Sequence, residues 1–280
     1  MISIVQQTQR IIVTLDTASI HPLNSAWQQA LRALLEQLEK QTENATQSGI
    51  VQLSFLPDAP ERRYPQAHAL SRDQAPACMQ QLASYHALLR RLERLPVPAV
   101  AAIQGNIGEH GWAVALACHH RYSLATASIR LRPALRNVAP CGGLLVRTAR
   151  LLGLQNTLAV LLDGFELDSN KALELGLIQA IAADAAQLDQ LLQQSASMPR
   201  PPRQPWDEKH PTLPGGAADS PANLAFLQLA PARLRARPEG ATASASAILC
   251  ALAEGCLVDF DTAALLESRY FCQSAIALAP

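Results

Sequence analysis

Apolar positions along this chain repeat with two different periods, and the switches between them mark out its elements. Ser3 to Val5 and Arg10 to Leu15 are short runs rich in β-branched residues on either side of polar Gln6 to Gln9, which predicts a hairpin. From Asn24 to Gln41 the period lengthens. Trp27, Leu31, Leu34, Leu35 and Leu38 recur at helical spacing, with Asn24 or Ser25 placed to cap the first free N–H groups. Gly49 to Phe55 (GIVQLSF) is a short run of the buried-strand type. Pro57 to Gln74 has no periodicity and reads as a long exposed loop, a kind of segment that often carries function. A second amphipathic helix is predicted over Ala77 to Leu95, and Pro96 with Pro98 ends it. Val100 to Gln104 is then a strand, Gly105 to Gly111 a turn, and Trp112 to His120 a short apolar helix.

Further on, Leu144 to Leu152 and Asn156 to Leu162 have helical spacing, and Ser169 to Leu177 is a helix leading into a strand at Ile178 to Ile181. Ser195 to Pro221 is rich in Pro, Ser and Gly. The succession of strands and helices predicts an α/β core over residues 1–194. A Pro/Ala/Gly-rich linker or wrapped loop is expected over 195–240, and a C-terminal helical segment over 241–280.

Composition narrows the functions available. With 280 residues, 49% hydrophobic and 16% charged, the chain can bury a full core. Lys plus Arg and Asp plus Glu number 23 each, so no net field draws it to nucleic acid or an anionic membrane. The six cysteines lack CxxC pairing and metal-ligand spacing, which suits free thiols in a reducing compartment. The N-terminal residues have no signal-peptide pattern, and no apolar run is long enough to span a bilayer. A cytoplasmic protein without membrane insertion is therefore expected. No G-x-G-x-x-G follows a strand, so a dinucleotide is not.

The candidate chemistry centres on an absence: between Glu109 and Asp163 there is no Asp or Glu. Glu109 and His110 are adjacent and form a candidate acid/base couple, while the alternative is that Glu109 favours a helix N-terminal dipole and His110 packs beside it. His119 and His120 suggest a metal, yet neighbours on a helix point about 100° apart and do not face one ion, so a structural role is favoured. Arg121, Arg130, Arg132, Arg136, Arg147 and Arg150 form a basic stretch suited either to phosphates or to a solvated surface or subunit contacts. Cys141 is either a nucleophile, if a base or helix end lowers its pKa, or a small buried turn residue, and the second is favoured.

These segments carry a resemblance. The run LPVPAVAAIQGNIGEHGWAVALACHHRYSLATASIRL, the element Pro140-Cys141-Gly142-Gly143 and the phrase from Lys171 to Ile178 resemble the crotonase (enoyl-CoA hydratase/isomerase) superfamily. RQPWDEKHPTLPGG at Arg203 to Gly216 and DFDTAALLESRYF at Asp259 to Phe271 look like the hydratase half of multifunctional fatty-acid β-oxidation proteins. The resemblance implies a crotonase-like stacked ββα superhelix with a C-terminal helical region. It also implies a coenzyme A thioester as ligand or substrate, with no other cofactor and no metal. Family members assemble as trimers or pairs of trimers, so a homotrimer or hexamer is one implied assembly, and pairing with an active homologue another.

Residue by residue, the family's mechanism places a thioester oxygen between two backbone N–H groups, one at a helix N-terminus after a glycine-rich turn, where helix-end donors stabilise an enolate. Gly105 aligns with the first glycine and Glu109-His110-Gly111 with the triplet, so His110 would supply the backbone N–H, provided its φ is negative. Gly105, Gly111, Gly142 and Gly143 are the implied substrate-binding glycines. The first catalytic glutamate of the family falls on Ala113, and its Pro-Glu falls on Pro133-Ala134, or on Arg132-Pro133 without a gap. The loop expected to supply the second N–H reads LPDAPERRYP at Leu56 to Pro65. The expectation is a degenerate family member that binds an acyl-CoA thioester without two-glutamate hydration. The alternatives are a divergent isomerase, decarboxylase or thioesterase using Glu109, His110 or the 57–74 loop, and a non-catalytic scaffolding subunit.

Overall fold

The computed structural model describes residues 2–7, 9–43, 49–57, 69–131, 137–163, 166–197, 203–238 and 240–278. It resolves into two compact units that interleave along the sequence. The first is built from Met1–Arg62, Ala87–Arg130 and Glu166–Gln204, and the second from Arg63–His86, Leu131–Phe165 and Pro205–Pro280.

In the first unit the predicted hairpin is present. β1 (Ile2–Gln6) pairs antiparallel with β2 (Arg10–Asp16), whose alternate residues Ile11, Val13 and Leu15 are buried. β3 (Ile50–Leu56), β4 (Ala99–Ile103), β6 (His120–Leu124) and β9 (Ala180–Ala182) add in parallel, giving a six-stranded sheet in the order β1-β2-β3-β4-β6-β9. All five residues of β4 are buried, which is why its sequence is continuously apolar and small rather than alternating. A second sheet, β5-β7-β8, joins β5 (Ile107–Gly108), β7 (Ser128–Arg130) and β8 (Glu166–Asp168).

Helix α1 (Ser25–Thr42) buries the predicted stripe, and the Asn24 side chain accepts from the Trp27 N–H as its cap. α2 (Ala75–Glu93) contributes its later turns to this unit, where Arg91 holds Glu39 of α1 through two hydrogen bonds of 2.8 and 2.7 Å. The sequence pattern predicts a turn at 105–111 and a helix from Trp112 to His120. Instead β5 occupies 107–108, α3 spans Glu109–Leu116, and His120 opens β6. The shift has a physical cause. The His119 N–H donates to the Ala99 carbonyl of β4 at 2.8 Å and the Cys118 carbonyl accepts from Arg121, so backbone groups that would have extended the helix are used to start a strand. α5 (Ser169–Glu174) follows β8, and α6 (Ala185–Ala196) lays Leu188, Leu192 and Ala196 against Ile50, Val100, Tyr122 and Ala182.

The second unit is helical. α4 (Leu144–Asp163) is two helical pieces joined at Gly153, whose φ of 75° and ψ of 177° are not helical. The segment expected as linker over 195–240 contains α7 (Pro221–Arg235), capped by Ser220, so that much of it is regular structure. Its apolar residues are scattered around the helix, which hid it from a periodicity argument. α8 (Ala243–Gly255) and α9 (Phe260–Ile276) form the expected C-terminal helices, capped by Thr242 and Asp259. The phrase beginning at Arg203 owes its residues to burial: in this unit Trp206 stacks on Phe260 with ring centroids 4.8 Å apart, beside Val146, Ala263 and Ala264. In the first unit, Gln204 caps the end of α3 by donating to the Ala117 and Cys118 carbonyls at 3.4 and 3.2 Å.

Gly153 is the sharpest steric constraint on α4, since a β-carbon there would lie 1.9 Å from the Pro214 carbonyl oxygen. Gly153→Ala is expected to lower stability by at least about 2 kcal/mol, read as a drop in the urea midpoint with unchanged slope.

Candidate functional site

The site begins where β4 leaves the sheet. Gly105 follows that strand, and a β-carbon there would come within 2.7 Å of the Pro57 side chain at the exit of β3, so only glycine lets these two strand ends approach. The chain then makes β5 and enters α3 with Gly108 as an extended N-cap at φ −89° and ψ 177°. Glu109, His110 and Gly111 form the first turn of α3, where the helix itself supplies no acceptor for backbone N–H groups. Among the described residues, Asn137 is the only non-glycine with positive φ, so His110 meets the conformational condition for presenting its N–H from a helical turn. Gly111 is small for a packing reason, since a β-carbon there would sit 2.9 Å from Ile107 and 3.4 Å from Thr17.

Two residues at this helix end were not singled out from the sequence. His21 places its ring edge-on to that of His110, centroids 4.6 Å apart, while its Nδ1 accepts the Leu23 N–H at 3.1 Å. Thr17 donates to the Leu56 carbonyl at 2.9 Å, fixing the short 3-10 turn beside α3 to the end of β3. Nothing local in HPLN or DTAS marks them, because their meaning comes from strands brought together by parallel pairing.

Glu109 is 3% exposed and stands four residues before Ala113, itself buried, so the two share one face of α3. A carboxylate at 109 is displaced by one turn, about 6 Å along the axis, toward the N-terminus from one at 113. Pro133 and Ala134, with Arg132 and Arg136, lie outside the described residues, as does most of the 57–74 loop.

Gly142 and Gly143 belong to the second unit. Both have positive φ, 77° and 88°, in the turn that starts α4, and a β-carbon on Gly143 would fall 1.7 Å from the Arg147 guanidinium. The Gly143 N–H donates to Glu267 at 2.6 Å and the Val146 N–H donates to its other oxygen at 2.9 Å. Glu267 is thus an internal cap for α4, at 1% exposure. Burial pushes its pKa up to about 7, against the pull of those two N–H groups and of the Arg147 charge. His86 is fully enclosed nearby, its Nε2 3.0 Å from Ser268 Oγ, and burial with the Arg147 charge pushes it down to about 3. A signal for Glu267 existed in the sequence, since it continues the buried α9 positions 260, 263 and 264 at helical spacing.

The arginine stretch is drawn inward. Arg121 is buried and donates to two carbonyls at 2.6 and 2.8 Å. Arg130 pairs with Glu166 at 3.1 Å, Arg147 lies over the Phe260 ring at 5.3 Å, and Arg150 donates to the Gly255 and Val258 carbonyls at 3.2 and 2.6 Å. Arg121 and Arg147 are buried, whereas Arg130 and Arg150 are only partly so. His119 holds Ala99, and His120 stacks on Tyr122. Among the described residues no three His, Cys, Asp or Glu side chains form a metal-holding group, and no helix is long and apolar enough to cross a membrane. Cys141 is buried in the turn before Gly142.

Comparison with known proteins places this geometry. The sequence profile described as enoyl-CoA hydratase/isomerase matches residues 20–204. A "Fatty acid oxidation complex subunit alpha" from Shewanella halifaxensis is 35% identical over 127 residues, which are 45% of this chain and 17% of that protein. The chain therefore matches only a small part of such relatives. Among solved structures, an enoyl-CoA hydratase from Bacillus halodurans superposes with a TM-score of 0.55 over 99% of both chains at 19% identity. One from Mycobacterium avium subsp. paratuberculosis also gives 0.55, over 71% of this chain and 76% of its own, at 21% identity. These likenesses identify the fold, with its C-terminal helices, as the one expected.

The buried groups make a pH prediction. Glu267, with its folded pKa raised from 4.5 to about 7, contributes stability that is present below pH 4.5 and lost as pH rises through 7. His86 and His119, pushed from 6.5 to about 3 and about 4, contribute stability present above pH 6.5 and lost as pH falls through those values. The two slopes oppose each other, so chemical denaturation from pH 7 to 4.5 should show Glu267→Gln losing stability more steeply on acidification than the natural chain.

Proposed function

The chain belongs to the enoyl-CoA hydratase/isomerase family, and from that premise we propose that it binds an acyl-CoA thioester at the N-terminus of α3 without two-glutamate hydration. The observation that carries this reading is the α3 first turn. His110 is helical there, between an entry strand that requires Gly105 and a helix that requires Gly111, and the resemblance read from the sequence puts the family's first glutamate at Ala113. A thioester oxygen set against the His110 N–H gains a charge-oriented donor, and the donor strengthens as enolate character develops. Without a carboxylate at 113, nothing at that position activates water or returns a proton to carbon. The Gly142–Gly143 turn starts α4 in the second unit, where Glu267 accepts the Gly143 N–H.

Calorimetry with coenzyme A and a short enoyl-CoA tests binding. Saturable binding below millimolar ligand, with no hydration detected by loss of enoyl absorbance, is the expected result, and no binding at millimolar ligand overturns the reading. His110→Ala keeps the backbone N–H and should leave the affinity within about twofold. A loss beyond about tenfold would transfer the role to the imidazole.

One observation favours a second reading, a divergent catalyst. Glu109 is buried on the face it shares with Ala113 and precedes His110, whose ring meets that of His21, so a displaced acid/base group is available one turn from the usual place. A panel of acyl-CoA substrates for isomerisation, decarboxylation and thioester hydrolysis examines it. If any is turned over, Glu109→Gln should lower kcat by about 10²-fold or more. Unchanged turnover in that variant removes Glu109 from the chemistry.

A further inference from the structure

The cysteines of the second unit supply an observation that the acyl-CoA reading does not use. Two hydrogen bonds tie α2 and its lead-in to α9: the Leu70 N–H donates to the Ala275 carbonyl at 3.0 Å, and His86 Nε2 meets Ser268 Oγ at 3.0 Å. Between those ties lie Cys78 on α2 and Cys272 on α9, and their thiols hydrogen-bond to each other. Cys272 stands one turn from both Ser268 and Ala275, so it shares the α9 face that both ties use. The two residues are 6% and 4% exposed, so both thiols are buried.

We propose that Cys78 and Cys272 are an oxidisable pair, a modification site at which a hydroperoxide makes a disulfide joining α2 to α9. The chemistry closes without a metal. The Cys78 sulfur, as thiolate, attacks one peroxide oxygen; the O–O bond breaks, sulfur is oxidised to sulfenic acid, and the departing hydroxide takes up the thiol proton as water. The Cys272 sulfur then attacks the Cys78 sulfur, the S–S bond forms, the S–O bond breaks, and hydroxide leaves with the Cys272 proton as a second water. Two thiols and one molecule of hydrogen peroxide thus give one disulfide and two waters.

The pair has a built-in division of roles. The hydrogen bond from Cys272 holds the Cys78 thiol below its ordinary pKa, making it the attacking group, whereas the same bond together with burial pushes Cys272 up. In contrast, burial raises both Cys250 and Cys256, and the groups acting on them include no thiol. Cys141 is the rival partner for Cys272. Its segment is tied to α9 by the Ala139 N–H donating to Ser274 Oγ at 2.9 Å and by the Gly143 N–H on Glu267, and its charge acts on Cys272.

The test uses the full chain carrying Cys250→Ser, which removes the exposed thiol and leaves five of the six cysteines. After treatment with one equivalent of hydrogen peroxide, thiols are alkylated in denaturant and counted, and the peptides are mapped. The expected result is a fall from five alkylated cysteines to three, one crosslinked peptide joining Cys78 to Cys272, and full recovery with dithiothreitol. In Cys272→Ser the expected product is a Cys78 sulfenic acid trapped by dimedone. The map of the chain that retains Cys272 decides the matter even if that variant does not fold. A Cys141 to Cys272 link, sulfinic acid without a link, or five cysteines still alkylated would each overturn the proposal.

Discussion

A helix that starts inside a protein must find acceptors for its first backbone N–H groups, and the second unit is organised around that requirement at α4. Glu267 reaches from α9 to take the N–H groups of Gly143 and Val146, which explains why a carboxylate sits at a position otherwise spaced for the core. Its presence sets the surroundings. Arg147 is placed within its field and over Phe260, Phe260 is stacked on Trp206, and Gly143 is denied a side chain by the guanidinium beside it. A single missing partner in such a network leaves an uncompensated buried charge, so its members belong together.

The first unit meets the same requirement in a different way. At α3 no side chain caps the N-terminus from Gly108, and the turn is held instead by close approach: Gly105 against Pro57, Gly111 against Ile107 and Thr17. Close packing thus fixes the first turn of α3, a helix end whose dipole favours negative charge. The contrast between α3 and α4 separates two glycine motifs that look alike in sequence. One packs the first turn of α3 against the end of β3 and against β5, and the other makes room for the buried Arg147 guanidinium.

Histidines and arginines illustrate how burial redirects chemistry that sequence alone suggests. His119 accepts a backbone N–H, Arg121 and Arg150 each feed two carbonyls, and Arg130 answers Glu166 across β7 and β8. Charged groups removed from water need such partners, and carbonyls left over at helix and strand ends provide them. The acid-free stretch from 110 to 162 is consistent with this: its described arginines meet carbonyls of the backbone or the charge of acids from elsewhere in the chain.

Local physics was enough to read much of this protein from its residues. The β1–β2 hairpin, the Asn24 cap and stripe of α1, the break in α4 and the C-terminal helices follow from period, caps and glycine, which act within a few residues. The family phrases likewise marked the fold, because they encode turns and buried contacts that the fold requires. Tertiary structure alone decided what depends on residues far apart in sequence: the start of β6 at His120, the helix hidden in 221–235, His21 against His110, and Glu267 beneath Gly143. Those arrangements arise when parallel pairing and helix packing bring distant backbone groups together out of water, and the need to satisfy each group then selects the partner.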